Sequence, residues 1–469
     1  MFYELSLLIT VVLWLFVWLF LKNENKRVYF LFIGFTVIGF ISFLLLEPLR
    51  WQLYPAFLAG LLLVFLAKGK PSKKKKITAS VFTILLVTIS MVLVTVMPKL
   101  SLPGTTGEYS VGVKTFHLID EEREELATKE SGDKREFVVD VWYPIEKPNG
   151  VKEEEYPTEL GMVFSSLMKM PDAVFAYSKY GNTEIYREQP ISEKENNYPV
   201  VIFSHGDLAT RFQSMFQVRE LTSQGYIVIG INHTHNASFT TFPNGKVVEG
   251  KDFLTNDLGN EEHYNRLLDA RIGDFSYVID TLKDWNTNDT ILKNRINEEN
   301  IGVMGHSLGG SAITGALVKD DRIKAGFNMD GRVYENIKTL DFKKPFMHMI
   351  NDAIHTQKTT QADIDGMGDV KTTLEDMNEH QELFIHSFNE TFDSQSNDAY
   401  KIELRGSNHY SFADLFLMIK LLAPELDVTK GHTIINDATI AFFDKYLKGK
   451  DVDIKLELGK YEEIKMEAK

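Results

Sequence analysis

Four long apolar runs fill the first fifth of the chain, near Leu5–Leu21, Val28–Leu46, Leu53–Ala67 and Ile77–Met97. The first, second and fourth carry no internal charge and reach the length of a bilayer-spanning helix, about 20 residues. The third is shorter, with Trp51, Tyr54 and Lys68 placed to anchor its ends. The pattern predicts about four transmembrane helices within residues 1–98. No basic stretch precedes the first run and no small-residue cleavage site follows it, so a removable leader is not expected. Residues 99–108, rich in proline and glycine (Pro103, Gly104, Gly107), predict a linker.

Beyond the linker the pattern changes to alternating strands and helices. Phe137–Pro144 is β-branched and aromatic, a strand signal. Residues 147–197 are irregular and predict an insertion or lid, with an apolar stretch at Met162–Phe175. Pro199–Ser204 and Gly225–Ile231 are continuous apolar runs, as expected of strands buried on both faces. Arg211–Ser223 and Asn260–Trp285 have helical spacing. Ile301–Met304, Ile323–Met329, Pro345–Ile350 and Ala399–Leu404 predict further strands, Leu308–Val318 and Ile434–Leu447 helices. Such alternation means a mostly parallel sheet with helices on both faces, an α/β fold over residues 109–469.

Charge divides the chain at the same place. Residues 1–98 hold ten Lys/Arg against three Glu, which leaves a charge of −21 for residues 99–469 of a chain at −14. An acidic domain of that size repels phosphates and is no nucleic-acid partner. The basic residues sit in the first loop (Lys22, Lys26, Arg27) and the third (Lys68, Lys70, Lys73–Lys76), whereas Glu47–Arg50 is nearly neutral. By the positive-inside rule both basic loops face the cytoplasm, so the acidic domain is expected outside the cell membrane. The chain has no cysteine, which excludes disulfide scaffolds, cysteine nucleophiles and thiolate metal sites.

The candidate chemistry lies at Gly305-His306-Ser307-Leu308-Gly309. This is the nucleophile elbow G-x-S-x-G, placed between a predicted strand and a small-residue helix, as the motif requires. Its flanking glycines remove side chains that would collide in a tight strand-to-helix turn. Ser307 is the candidate nucleophile. A serine hydroxyl needs a base held by an acid, and in this fold both follow the serine. His409 comes directly after a predicted strand and is the preferred base. His348 lies inside an apolar strand, and His355, His380 and His386 fall in a polar excursion expected to be solvated. For the acid, Asp330 and Asp352 each end a strand, and position alone does not separate them. An oxyanion hole needs two backbone N–H groups. Leu308 supplies one, and the loop Ser204-His205-Gly206-Asp207 is expected to supply the other.

FVVDVWYP, PVVIFSHG, GYIVIGINH, GHSLGG, NMDG and GSNHYSFAD together resemble the platelet-activating factor acetylhydrolase family, across about Ser110–Gly449. The resemblance implies an α/β-hydrolase fold and a carboxylic ester hydrolase that cleaves short or oxidised sn-2 acyl esters of phospholipids. It implies Ser307 and His409 as nucleophile and base, and selects Asp330 over Asp352 as the acid. It places the oxyanion hole at the amides of Leu308 and Asp207. At 207, however, the pattern leads one to expect an apolar or small residue, and an inward carboxylate would oppose an oxyanion. A general carboxylesterase or thioesterase, and a membrane binding module without turnover, are the competing expectations. No cofactor is implied. His233-Thr234-His235 would place two rings on one face of a strand, yet no carboxylate pattern accompanies it. Asp363-Ile364-Asp365-Gly366 lacks the ligand spacing of a calcium loop. No metal is therefore expected.

Overall fold

The computed structural model describes the chain apart from residues 1, 21–29, 32, 36, 40, 42–44, 46–49, 68–71, 251–260, 335–342, 357–359, 362–372 and 396–397. The chain divides into two compact units. One comprises residues 1–101 with 155–182 and 416–422; the other holds residues 102–154, 183–415 and 423–469. The middle of the expected insertion thus belongs with the N-terminal segment.

The smaller unit contains helices α1 (Phe2–Phe20), α2 (Tyr54–Ala67) and α3 (Lys73–Val96). They bury Val11, Trp14, Ala56, Ala59, Leu63, Ala79 and Val87 against one another. Small residues at Ala56, Ala59 and Ala79 let the backbones approach closely. The Ala56 N–H, near the start of α2, donates to Ser90 Oγ at 2.9 Å. Helix α4 (Thr158–Leu167) takes up the first part of the apolar stretch noted in the insertion. After it, the Val174 carbonyl accepts the Trp51 indole N–H at 2.8 Å, and Arg50 lies over the Tyr177 ring.

Among the described residues, one helix, α3, is long and apolar enough to cross a membrane; α2 is a shorter apolar helix. The expectation of four spans is reduced accordingly. Of the second run, residues 30, 31, 33–35, 37–39, 41 and 45 are helical. Lys22, Lys26, Arg27, Glu47, Lys68 and Lys70, on which part of the orientation rests, lie outside the described residues. Lys73–Lys76 form the first turn of α3, behind the N-cap Ser72. Cations there oppose the helix dipole by about 0.3–1 kcal/mol each, so the run is not placed for helix stability.

The larger unit is built on a ten-stranded sheet among the described residues. Its strands are β1 (Ser110–Glu124), β2 (Lys134–Ile145), β3 (Ile185–Arg187), β4 (Tyr198–Ser204), β5 (Ile227–Asn232), β8 (Ile296–His306), β9 (Ile323–Met329), β10 (Phe346–Asn351), β11 (Ala399–Leu404) and β12 (Ile464–Ala468). A separate hairpin pairs β6 (Phe239–Thr241) with β7 (Val247–Glu249). The order β12-β11-β10-β9-β8-β4-β5-β2-β1-β3 puts six parallel strands, β11 to β5, at the centre. β2 pairs antiparallel with β5 and β1, and β12 antiparallel with β11.

The sequence explains this arrangement. Val200, Val201, Ile202 and Phe203 of β4 are completely buried, and each such side chain contributes about 1.5–3 kcal/mol relative to exposure. Helices α5 (Met215–Ser223), α6 (Glu261–Asn288), α7 (Leu308–Lys319), α8 (Leu374–Ser394) and α9 (Val428–Tyr446) accompany the sheet. α8 crosses the stretch expected to be a polar excursion. Thr373 and Asp376 form its capping box, and Phe384, Phe388 and Phe392 make its buried stripe. The apolar stretch after His409, whose spacing reads as a helix, is broken into short turns at His409–Phe412, Leu415–Met418 and Lys420–Leu422.

Candidate active site

β8 delivers the elbow. Ser307 sits at φ 56°, ψ −125°, a region that costs a non-glycine residue on the order of 1–3 kcal/mol. The neighbours show why the glycines are needed. A Cβ on Gly309 would lie 2.1 Å from the Ser204 carbonyl oxygen, and one on Gly305 would lie 2.4 Å from the Gly309 carbonyl oxygen. Only bare backbone lets α7 start this close to the end of β4.

His409 arrives from the end of β11. Asn408 caps the turn, its Oδ1 accepting the Tyr410 N–H and its N–H donating to Ser411 Oγ. His409 Nδ1 donates to Asp330 Oδ2 at 2.6 Å, which leaves Nε2 to accept from Ser307 Oγ at 3.0 Å. The histidine side chain is 42% exposed and the aspartate 1%. His409 is therefore accessible to a reactant, while Asp330 is not. Burial raises the Asp330 pKa, but the hydrogen bond and charge of His409 and the Asn351 N–H outweigh it, so the net shift is downward. Asn351 also gives its side-chain amide to Oδ2 at 2.7 Å. Asp330 itself has φ 56°, and its N–H is tied to the Met349 carbonyl. Asp352 is held by its own N–H to Leu404 and makes no bond to His409. The geometry thus separates the two aspartates that position had left open.

Leu308 is the first residue of α7, so its N–H has no acceptor within the helix. The Asp207 loop runs alongside: a Cβ on Gly206 would lie 3.3 Å from Ser307 Cβ. Oδ1 of the Asp207 carboxylate takes the Leu208 N–H at 3.1 Å.

Two residues missed in the sequence tie these parts together. His306 Nε2 donates to the His409 carbonyl at 2.8 Å, and its Nδ1 accepts from Gln213 Nε2 at 2.7 Å. Gln213 Oε1 in turn accepts the Gly206 N–H at 2.7 Å. Burial and the nearby His409 push the His306 pKa down to about 3, so the ring is neutral and its tautomer is fixed. His306 fills the variable position of the motif, and Gln213 lies in a loop, so neither carries a sequence signal.

The other histidines divide. His348 is buried beside Phe346, Phe384 and Phe388, as expected. His386 is 60% exposed. His380 is not solvated as expected: it is half-buried, 3.5 Å from Arg332, and burial lowers its pKa to about 4. Residues 233–235 lie beyond the end of β5 in a turn, not on a strand face. His233 gives Nδ1–H to Asp274 and accepts from Ser204 at Nε2, so both nitrogens are engaged. Asp363–Gly366 lies outside the described residues. Among the described residues, the grouping able to hold a metal is His306, Asp330 and His409; all three have the hydrogen-bond partners given above.

The family described as platelet-activating factor acetylhydrolase, isoform II, matches residues 94–459. The chain belongs to that family. As a member it is similar to a probable 1-alkyl-2-acetylglycerophosphocholine esterase of Arthroderma benhamiae, at 24% identity over 50% of this chain and 59% of the relative. The platelet-activating factor acetylhydrolase of Cavia porcellus is 24% identical over 57% of this chain and 62% of its own. That of Gallus gallus is 23% identical over 63% and 73%. The chain thus spans about three fifths of the length of the first two relatives. In fold, this family member resembles a ferulic acid esterase from Streptomyces cinnamoneus, with a TM-score of 0.59 at 19% identity, over 78% of this chain and 99% of the other.

Proposed function

We propose that this chain is a membrane-anchored serine ester hydrolase that cleaves short or oxidised sn-2 acyl esters of phospholipids. The observation that carries the reading is the hydrogen-bonded line Ser307–His409–Asp330 at a strained elbow. In the reaction, Ser307 Oγ attacks the ester carbonyl while His409 Nε2 takes its proton. Asp330 holds the Nδ1–H and stabilises the imidazolium. The carbonyl oxygen becomes an oxyanion facing the amides of Leu308 and Asp207. His409 then gives the proton to the leaving alkoxide, and the acyl group stays on Ser307. Water attacks this acyl-enzyme with His409 again as base, releasing the acid and restoring the serine.

The relatives named for platelet-activating factor support the lipid class. The apolar N-terminal unit supports it independently, because an anchor raises the local concentration of amphiphilic substrate. The full chain in detergent is expected to release the acetyl group from 1-alkyl-2-acetyl phosphocholine lipid in EDTA. Ready hydrolysis of soluble short-chain esters with no release from any phospholipid would replace this reading with a general esterase.

The reading places the acidic domain outside the cell membrane and Lys73–Lys76 inside. The absence of cysteine makes the test direct. In intact cells, Glu193→Cys, at a side chain 84% exposed, should react with a membrane-impermeant maleimide, and Lys74→Cys should stay protected. The opposite pattern would put the catalytic domain in the cytoplasm.

A further inference from the structure

The loop that carries the Asp207 amide is gripped from behind by buried groups that the proposed chemistry does not use. Arg271, on α6, is completely buried. Its Nη1 donates to the His205 carbonyl, its Nη2 to the Gly206 carbonyl at 3.4 Å, and its Nε to Asn236 Oδ1 at 3.1 Å. The Gly206 carbonyl accepts two further donors, His205 Nδ1–H at 2.6 Å and the Ala209 N–H at 3.4 Å. The role of His205 is fixed, because its Nε2 accepts the His233 N–H at 3.3 Å. Burial and the Arg271 charge hold its pKa well below the usual value, so the ring is neutral with its proton on Nδ1.

Deeper still lies a second serine–histidine–aspartate line. Ser204 Oγ is 2.9 Å from His233 Nε2, and His233 Nδ1 is 2.9 Å from Asp274 Oδ2. Asp274 is paired with Arg135 and Arg123. All three members of this line are completely buried, so no ester reaches them. Arg271 Nη1 joins it to the loop through Ser204 Oγ at 3.4 Å.

Peptide geometry gives this grip a consequence. In a trans peptide the carbonyl and the next N–H point in opposite directions across one plane. The Gly206 carbonyl and the Asp207 N–H share such a plane, and the described chain has no cis bond. Donors that fix the carbonyl on one side therefore aim the N–H to the other. Among the described residues, no acceptor takes the Asp207 N–H.

We propose that Arg271 is a positioning residue that aims the Asp207 oxyanion-hole donor by clamping the His205 and Gly206 carbonyls. A cation on those carbonyls also polarises the two peptide groups, which makes the N–H a stronger donor. Burial lowers the Arg271 pKa to about 10, still protonated at neutral pH. The inference rests on Ser307 being the nucleophile, and the test separates the two.

The full chain in detergent is compared with Arg271→Met, Arg271→Gln, Arg271→Lys and Ser307→Ala, using p-nitrophenyl acetate and a boronic acid inhibitor that mimics the tetrahedral adduct. Arg271→Met is expected to lower kcat about 10²-fold, the cost of one lost oxyanion donor. KM should change little, and boronic acid affinity should fall with kcat. Arg271→Lys, which restores a cation to one carbonyl, should recover part of the loss. A folded Arg271→Met variant that keeps kcat and boronic acid affinity near wild type overturns the proposal. If that variant fails to fold, Arg271→Gln decides in the same way: it keeps one donor, loses the charge, and should lose about tenfold in kcat. Ser307→Ala with activity intact would remove the nucleophile assignment itself.

Discussion

Ser307→Ala is expected to lower ester hydrolysis by 10³-fold or more, on the order seen when one member of a catalytic unit is removed. The fold should survive. Among the described residues, the Ser307 hydroxyl bonds to His409 and makes no cap in α7, and alanine meets the same strained φ that serine already accepts. Thermal unfolding should therefore shift little while reaction with a fluorophosphonate probe disappears. His409→Ala should cost nearly as much, because a hydroxyl without its base is a weak nucleophile. A folded Ser307→Ala protein that keeps most of its activity would reject the triad and the proposed function together.

The second large effect concerns the acid. Asp330→Asn should lower turnover about 10⁴-fold, the penalty of the wrong histidine tautomer. Both Asp330 oxygens are committed as acceptors. Oδ1 takes the Asn351 N–H, and Oδ2 takes His409 Nδ1–H and the Asn351 side-chain amide. An asparagine has one acceptor oxygen; with that oxygen kept on the rigid Asn351 N–H, its NH2 meets His409 Nδ1. The imidazole then moves its proton to Nε2 and no longer accepts from Ser307. Asp352→Asn should leave turnover nearly unchanged, because Asp352 does not reach His409. The reverse ranking, measured as kcat on a soluble ester, would move the acid to the end of β10. Acid stability offers a companion measurement. The Asp330 pKa is depressed in the folded state, so its carboxylate stabilises the fold above the unfolded value of about 3.9. That contribution is lost as pH falls through the folded value, and the Asn variant should show a shallower acid limb.

Strands whose residues are buried on both faces were legible along the chain. Pro199–Ser204 and Gly225–Ile231 were expected as strands and are found at Tyr198–Ser204 and Ile227–Asn232, because continuous apolar runs bounded by turns leave few alternatives. The elbow was legible for a related reason: its strand, serine and small-residue helix are contiguous, and the glycine requirement is local. Segments whose environment is set by distant partners were not legible. His380 lies in a polar stretch yet is half-buried beside Arg332. The residues after His409 have helical spacing but break into short turns, with Asp414 accepting the Met215 N–H.

By itself the sequence determined the class of fold and pointed to Ser307 and His409 as candidate nucleophile and base, since these depend on local pattern and on strand ends. Strand position left Asp330 and Asp352 equivalent, because both are aspartates at the ends of adjacent strands, and the family resemblance alone favoured Asp330. The tertiary structure decided between them: only Asp330 meets His409 Nδ1. It also decided how the oxyanion loop is held. The links from Gly206 through Gln213 and His306 to His409, and from Arg271 to His205 and Gly206, join residues 65 to 103 positions apart or bridge a loop within seven. No local period encodes such pairs. They exist because parallel strands deliver their C-terminal ends to one edge of the sheet, where buried polar groups must find one another.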